Sequence, residues 1–184
     1  MERVNLSDDI LSVLLTERQL REKVLELGAR ITEDYRGKKP LFLGVLKGCF
    51  VFMADLMRAV DLPCGIDFMA VSSYGSGTTT TGAVRITRDL SRDIEGEDVI
   101  IVEDILDSGV TLHYLRDFLH RRRPASIRIV TLLDKPERRR ADVKADYCGF
   151  TVPDKFLVGY GLDYAERYRN LPYIGILKPR IYRM

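Results

Sequence analysis

Residues Val99–Val102 are apolar without interruption and end on two adjacent acids, Glu103 and Asp104. A strand with one wet face alternates polar and apolar side chains. A strand apolar at every position needs cover on both faces, as in a parallel sheet with helices on either side. The chain repeats this arrangement: β-rich apolar runs (PLFLGVL, GIDFMAVSS, DVIIVED, SIRIVTLLD) alternate with stretches of helical period (CFVFMADLMRAV, TLHYLRDFLH), which predicts crossover units. Another helix is expected from about Thr16 to Tyr35, because Thr16 and Gln19 have capping-box spacing and Gly37 is a natural stop. After Asp134 the pattern breaks into short strands and turns ending in Tyr173–Lys178. The expected fold is a doubly wound α/β domain, a mainly parallel sheet flanked by helices with a small cap formed by terminal segments. Its 184 residues suit one domain spanning 1–184.

Composition removes several function classes. Twenty-nine Lys and Arg against 27 Asp and Glu give a net charge of +2, so no global field draws nucleic acid or an anionic membrane. Arg121–Arg123 and Arg138–Arg140 could form a local basic patch, but they also read as solvated charge. No apolar run approaches the ~20 residues of a membrane span. The start, MERVNLSDDILSVLL, lacks an export signal, so a cytoplasmic protein is expected. Cys49, Cys64 and Cys148 are odd in number and lack zinc-site spacing, which fits reduced, structural thiols.

Ligands of open α/β sheets bind beyond the carboxyl ends of strands. Glu103 and Asp104 fall there, and two adjacent acids at the end of a buried strand need solvent, hydrogen bonds or a cation. Magnesium on a polyphosphate substrate would supply the cation. Asp107-Ser108-Gly109-Val110-Thr111 is a small-residue turn running into a helix, whose free amides and positive dipole end suit a phosphate monoester. A plainer role for Asp104, Asp107 or Ser108 is to cap that helix. Neither a Walker loop nor a GxGxxG fingerprint is present.

The string EDILDSGVT behind four apolar residues resembles the signature of type I phosphoribosyltransferases, which bind 5-phosphoribosyl 1-diphosphate (PRPP). The resemblance implies that Glu103 and Asp104 hold the ribose hydroxyls and Mg2+, and that Asp107, Ser108, Gly109, Val110 and Thr111 wrap the 5-phosphate. Four further segments resemble the hypoxanthine-guanine phosphoribosyltransferases. Leu46-Lys47-Gly48 matches a pyrophosphate loop with a cis Leu–Lys peptide. Ser73-Tyr74 with GSGTTTTG matches a mobile catalytic loop that closes over the substrates, although Thr-rich sequence also suits a plain hairpin. Lys135, in LDKP, matches a lysine that donates to the purine 6-oxo group and so disfavours adenine. In VPDKFLVGYGLDY, Phe156 would stack on the purine and the Leu157 backbone would meet its edge. Asp163 would serve the same base site and a second magnesium, and Arg169 would reach the pyrophosphate.

The reaction so implied joins N9 of a 6-oxopurine to C1 of the sugar and expels pyrophosphate. Asp107 is the candidate acid or base at purine N7, and the loop carrying Tyr74 would shield the sugar cation. The resemblance further implies a homodimer or homotetramer, with Lys47 near the subunit interface.

Overall fold

A computed structural model describes residues 6–73 and 84–182. Six strands form the main sheet: β2 (Leu41–Leu46), β3 (Gly65–Ser73), β4 (Val84–Arg88), β5 (Asp98–Leu106), β6 (Ser126–Asp134) and β7 (Tyr147–Thr151). Their order is β4-β3-β2-β5-β6-β7. All neighbours run parallel except β4, which returns antiparallel along β3.

The apolar strands are covered on both sides, as their composition requires. Phe42, Ile100 and Val102 face one core with α1 (Glu17–Asp34) and α2 (Phe50–Ala59). Leu41, Leu43, Val45, Val99 and Ile101 face the other, where α3 (Val110–His120) contributes Leu112, Leu115 and Leu119. The period of two along each strand thus sorts the side chains between two helical layers. The Thr16 hydroxyl caps α1 reciprocally with Gln19, as their spacing predicts, and Gly37 sits in the left-handed region beyond its end.

The chain ends form a second, three-stranded antiparallel sheet in the order β1-β9-β8, from β1 (Ile10–Leu15), β8 (Leu157–Val158) and β9 (Ile174–Leu177). This is the expected cap. A short helix, α4 (Pro179–Tyr182), follows it. The three cysteines are free, with Cys49 buried. Among the described residues, no helix is long and apolar enough to cross a membrane.

The chain builds outward from β2 to β3, then returns to the other side of β2 with β5 and β6. The crevice between the carboxyl ends of β2 and β5 is therefore a topological switch point, where ligands of such sheets bind.

Candidate active site

The turn after β2 and the end of β5 meet at this crevice. The Leu46–Lys47 peptide is cis, in agreement with the expectation for that turn. Gly48 follows, and a β-carbon there would lie 1.7 Å from Asp104 Oδ2. Asp104 is 8% exposed, and its Oδ1 accepts the Ile105 amide at 2.8 Å. Glu103 Oε2 is buried with no hydrogen-bond partner among the described residues.

Burial, reinforced by the Asp104 charge, holds the Glu103 carboxyl well above the ordinary range. Asp104 is pushed up to about 6, chiefly by burial, with Asp163 adding to the rise and the Ile105 amide and Arg169 opposing it. An orphaned carboxylate oxygen beside a second buried acid fits a divalent cation, which would offset both burial and repulsion. Among the described residues, no three His, Cys, Asp or Glu side chains form a closed metal cage. Asp163 instead engages Arg169 at 3.0 Å and accepts the Glu166 amide at 2.9 Å.

The turn expected to take the phosphate joins the end of β5 to α3, at the carboxyl edge of the sheet. Gly109 adopts φ +78°, and a β-carbon there would come within 2.6 Å of Val143 Cγ1. The Ser108 carbonyl accepts the Arg140 and Ala141 amides at 2.8 and 3.2 Å, which fastens the turn to the segment after β6. Gly109 is the N-cap of α3, and no side chain caps the helix. The capping alternative for Asp104 and Asp107 is therefore set aside, and the first amides of α3 have no intrahelical partner. Val110 and Thr111 open the helix, and the Ser108 Oγ is 3.5 Å from the Val110 nitrogen.

Beside this turn is a cavity of about 610 Å³ lined by Ile105, Asp107, Lys135, Phe156, Leu157 and Asp163, among others. Five of these six residues are ones the sequence singles out. Lys135 is 6% exposed, although three arginines follow it closely. The backbone turns its stem inward, and Nζ donates to the Lys155 carbonyl at 2.6 Å. Burial lowers its pKa, and Arg138 adds to that effect while Asp107 and Asp154 oppose it. Arg138 and Arg139 are paired with Asp107 and Asp134. Phe156 stacks on Tyr182 (centroids 4.8 Å apart, planes at 25°) and meets Tyr164 edge-on. Leu157 belongs to β8 and pairs with Ile176.

Beyond the cis turn, Lys47 Nζ lies 2.9 Å from Glu166 Oε1, and Arg169 lies 3.4 Å from the other Glu166 oxygen. Arg169 also donates to the Gly161 carbonyl at 2.8 Å. Ala165, Glu166 and Tyr168 are all left-handed, so this turn is tightly wound around Arg169. Ser73 ends β3, and Tyr74 with the rest of the 73–82 loop lies outside the described residues. Sequence reasoning missed Glu166, Arg138, Asp154 and Tyr182, whose partners are remote in sequence.

The fold and this arrangement define a phosphoribosyl transferase, and residues 12–165 match the phosphoribosyl transferase domain family, to which the chain belongs. The chain is 57% identical over 174 residues to the hypoxanthine-guanine phosphoribosyltransferase of Bacillus subtilis (strain 168), covering 95% of this chain and 97% of that protein. A crystal structure of a hypoxanthine phosphoribosyltransferase from Staphylococcus aureus matches with a TM-score of 0.95 at 51% identity, covering 100% of both chains. The chain is also 56% identical over 178 residues, 97% of its length, to the bifunctional protein TilS/HprT of Listeria monocytogenes (serotype 4b), of which it spans 28%.

Proposed function

We propose that the chain transfers the 5-phosphoribosyl group of PRPP to N9 of hypoxanthine or guanine, giving IMP or GMP and pyrophosphate. The observation that carries this reading is a single cavity lined by both Asp107, the first residue of the phosphate turn, and the base-contacting set Lys135, Phe156 and Asp163. Lysine is a donor only, so a buried Lys135 favours a 6-oxo acceptor over a 6-amino group.

Glu103 and Asp104, with Asp163 at the far side, are the groups that would hold magnesium. When bound, magnesium would neutralise charge on the diphosphate leaving group. Lys47 and Arg169 offer that group fixed cations. The amides from Ser108 to Thr111 bind the 5-phosphate, and Phe156 orients the base by stacking. Asp107 holds or accepts the proton of purine N7. Tyr74 and Ser73 belong to the loop assigned to shielding the reacting sugar.

The same reading carries a single catalytic domain over 1–184, a homodimeric or homotetrameric assembly, a cytoplasmic setting and no nucleic-acid partner. The free thiols support the setting. Internal pairing of Arg122 and Arg123 with Asp89 and Glu95 supports the last point. The test is an assay with PRPP and magnesium against hypoxanthine, guanine, xanthine and adenine. Turnover of the first two is expected, and no nucleotide from any base would overturn the reading.

A further inference from the structure

The base end of the cavity is closed by a charge cluster that the roles above leave unused. Arg138 ends a 3-10 turn, Pro136–Arg138, directly after Lys135. Its Nε lies 2.9 Å from Asp107 Oδ1, and its Nη1 donates to Asp154 Oδ1 at 3.4 Å. Asp154 in turn lies 3.8 Å from Lys135 Nζ. All four side chains line the same cavity.

The Arg138 and Asp107 side chains are 48% and 40% exposed, but the oxygen that Arg138 approaches is buried. Asp107 Oδ1 is a buried atom, yet the approach of Arg138 Nε is too poorly angled to count as a hydrogen bond. The oxygen is held by charge and keeps its lone pairs for another donor. Asp107 does not cap α3, so among the described residues the Arg138 guanidinium is the ion-pair partner that fixes this carboxylate. Arg138 is itself fixed at its other end by Asp154. A planar guanidinium gripped at two nitrogens holds its orientation better than an ammonium does.

We propose that Arg138 is the positioning residue for Asp107, and that Asp154 anchors it. The proposal rests on the acid–base reading of Asp107. In the forward reaction the purine N9 lone pair forms the bond to C1 of the sugar. The C1–O bond breaks with its electron pair leaving on the diphosphate, and the N7 proton passes to Asp107. Neutralising Asp107 releases Arg138, which Asp154 already holds, so the cluster takes up a proton without leaving an unpaired cation. Before transfer, the same pair aims the carboxylate at the base.

The experiment uses the full chain with saturating magnesium PRPP. Arg138→Met keeps the length of the stem but removes the fork; Arg138→Lys restores charge without the fork. Each is made in the parent and in an Asp107→Asn background, and single-turnover rates with excess enzyme keep the slow variants readable. In the parent, Arg138→Met is expected to lower the rate at least about fivefold, with KM for PRPP within about twofold and Arg138→Lys recovering part of the loss. In the Asp107→Asn background the same change is expected to alter the rate by less than about twofold, because residues that act as a unit are not additive. A loss below fivefold in the parent, or one that persists without Asp107, overturns the proposal. A parent chain inactive on all four bases fails the functional reading instead.

Discussion

Gly48 rests against the carboxylate of Asp104, and a β-carbon at residue 48 would stand 1.7 Å from Oδ2. The backbone after β2 and the acid on β5 thus share one space. Gly48→Ala must displace Asp104 from the crevice. Because misplacement of a positioned group is costly, kcat/KM for PRPP should fall about tenfold or more, with the unfolding midpoint moving only a few degrees. Steady-state kinetics beside a thermal melt check this.

Base selection should follow Lys135. Its ammonium is a donor only, whereas Lys135→Gln offers both a donor and an acceptor. The ratio of kcat/KM for hypoxanthine to that for adenine is expected to drop about tenfold or more, mostly through loss of the 6-oxo substrate. An unchanged ratio would move the discrimination elsewhere.

Glu166 pairs with both cations proposed for the pyrophosphate, Lys47 and Arg169. Its carboxyl is held below its ordinary value, first by the hydrogen bond from Lys47. A diphosphate has to displace it, so Glu166→Ala should tighten pyrophosphate binding a few-fold at low salt. The gain should shrink as ionic strength rises, because Lys47 and Glu166 are solvent-exposed. Product-inhibition constants at two salt concentrations give the measurement.

Asp67, 4% exposed on β3, accepts the Phe68 amide and both the amide and hydroxyl of Ser91, and so ties β3 to the chain that follows β4. Burial pushes its carboxyl up, but these hydrogen bonds outweigh burial and hold it below its ordinary value of 3.8. A depressed pKa contributes stability above that ordinary value, and the contribution is lost as pH falls through the folded-state value. Asp67→Ala should therefore cost about 1–3 kcal/mol at pH 7, with the gap from the parent narrowing as pH falls below 4. Urea unfolding at several pH values reads both.

The central sheet was legible because apolar strands covered on both faces leave a strong local signal, and Thr16 with Gln19 marks a helix start within four residues. The site turns were legible because buried acids and small residues at a strand end have few other uses. β1 was less so. Its burial does not alternate, and it pairs with β9 at the far end of the chain, Ile10 with Leu177. Lys135 was marked by the resemblance of LDKP and not by its local sequence, since three arginines follow it closely and its burial depends on the direction of the backbone. Arg138 and Asp154, likewise, become meaningful only when two loops are brought together.

The small sheet of the chain ends gives the molecule two separable holds. PRPP is assigned to loops of the main sheet, while Phe156 and Leu157 lie at β8, against a strand from the carboxyl end that pairs in turn with one from the amino end. In the proposed assignment the two termini brace the acceptor's wall, and the turn between β8 and β9 brings Arg169 to the donor's diphosphate. The wall of the base pocket thus depends on the pairing of strands from opposite ends of the chain, whereas the phosphate turn depends on β5 and α3.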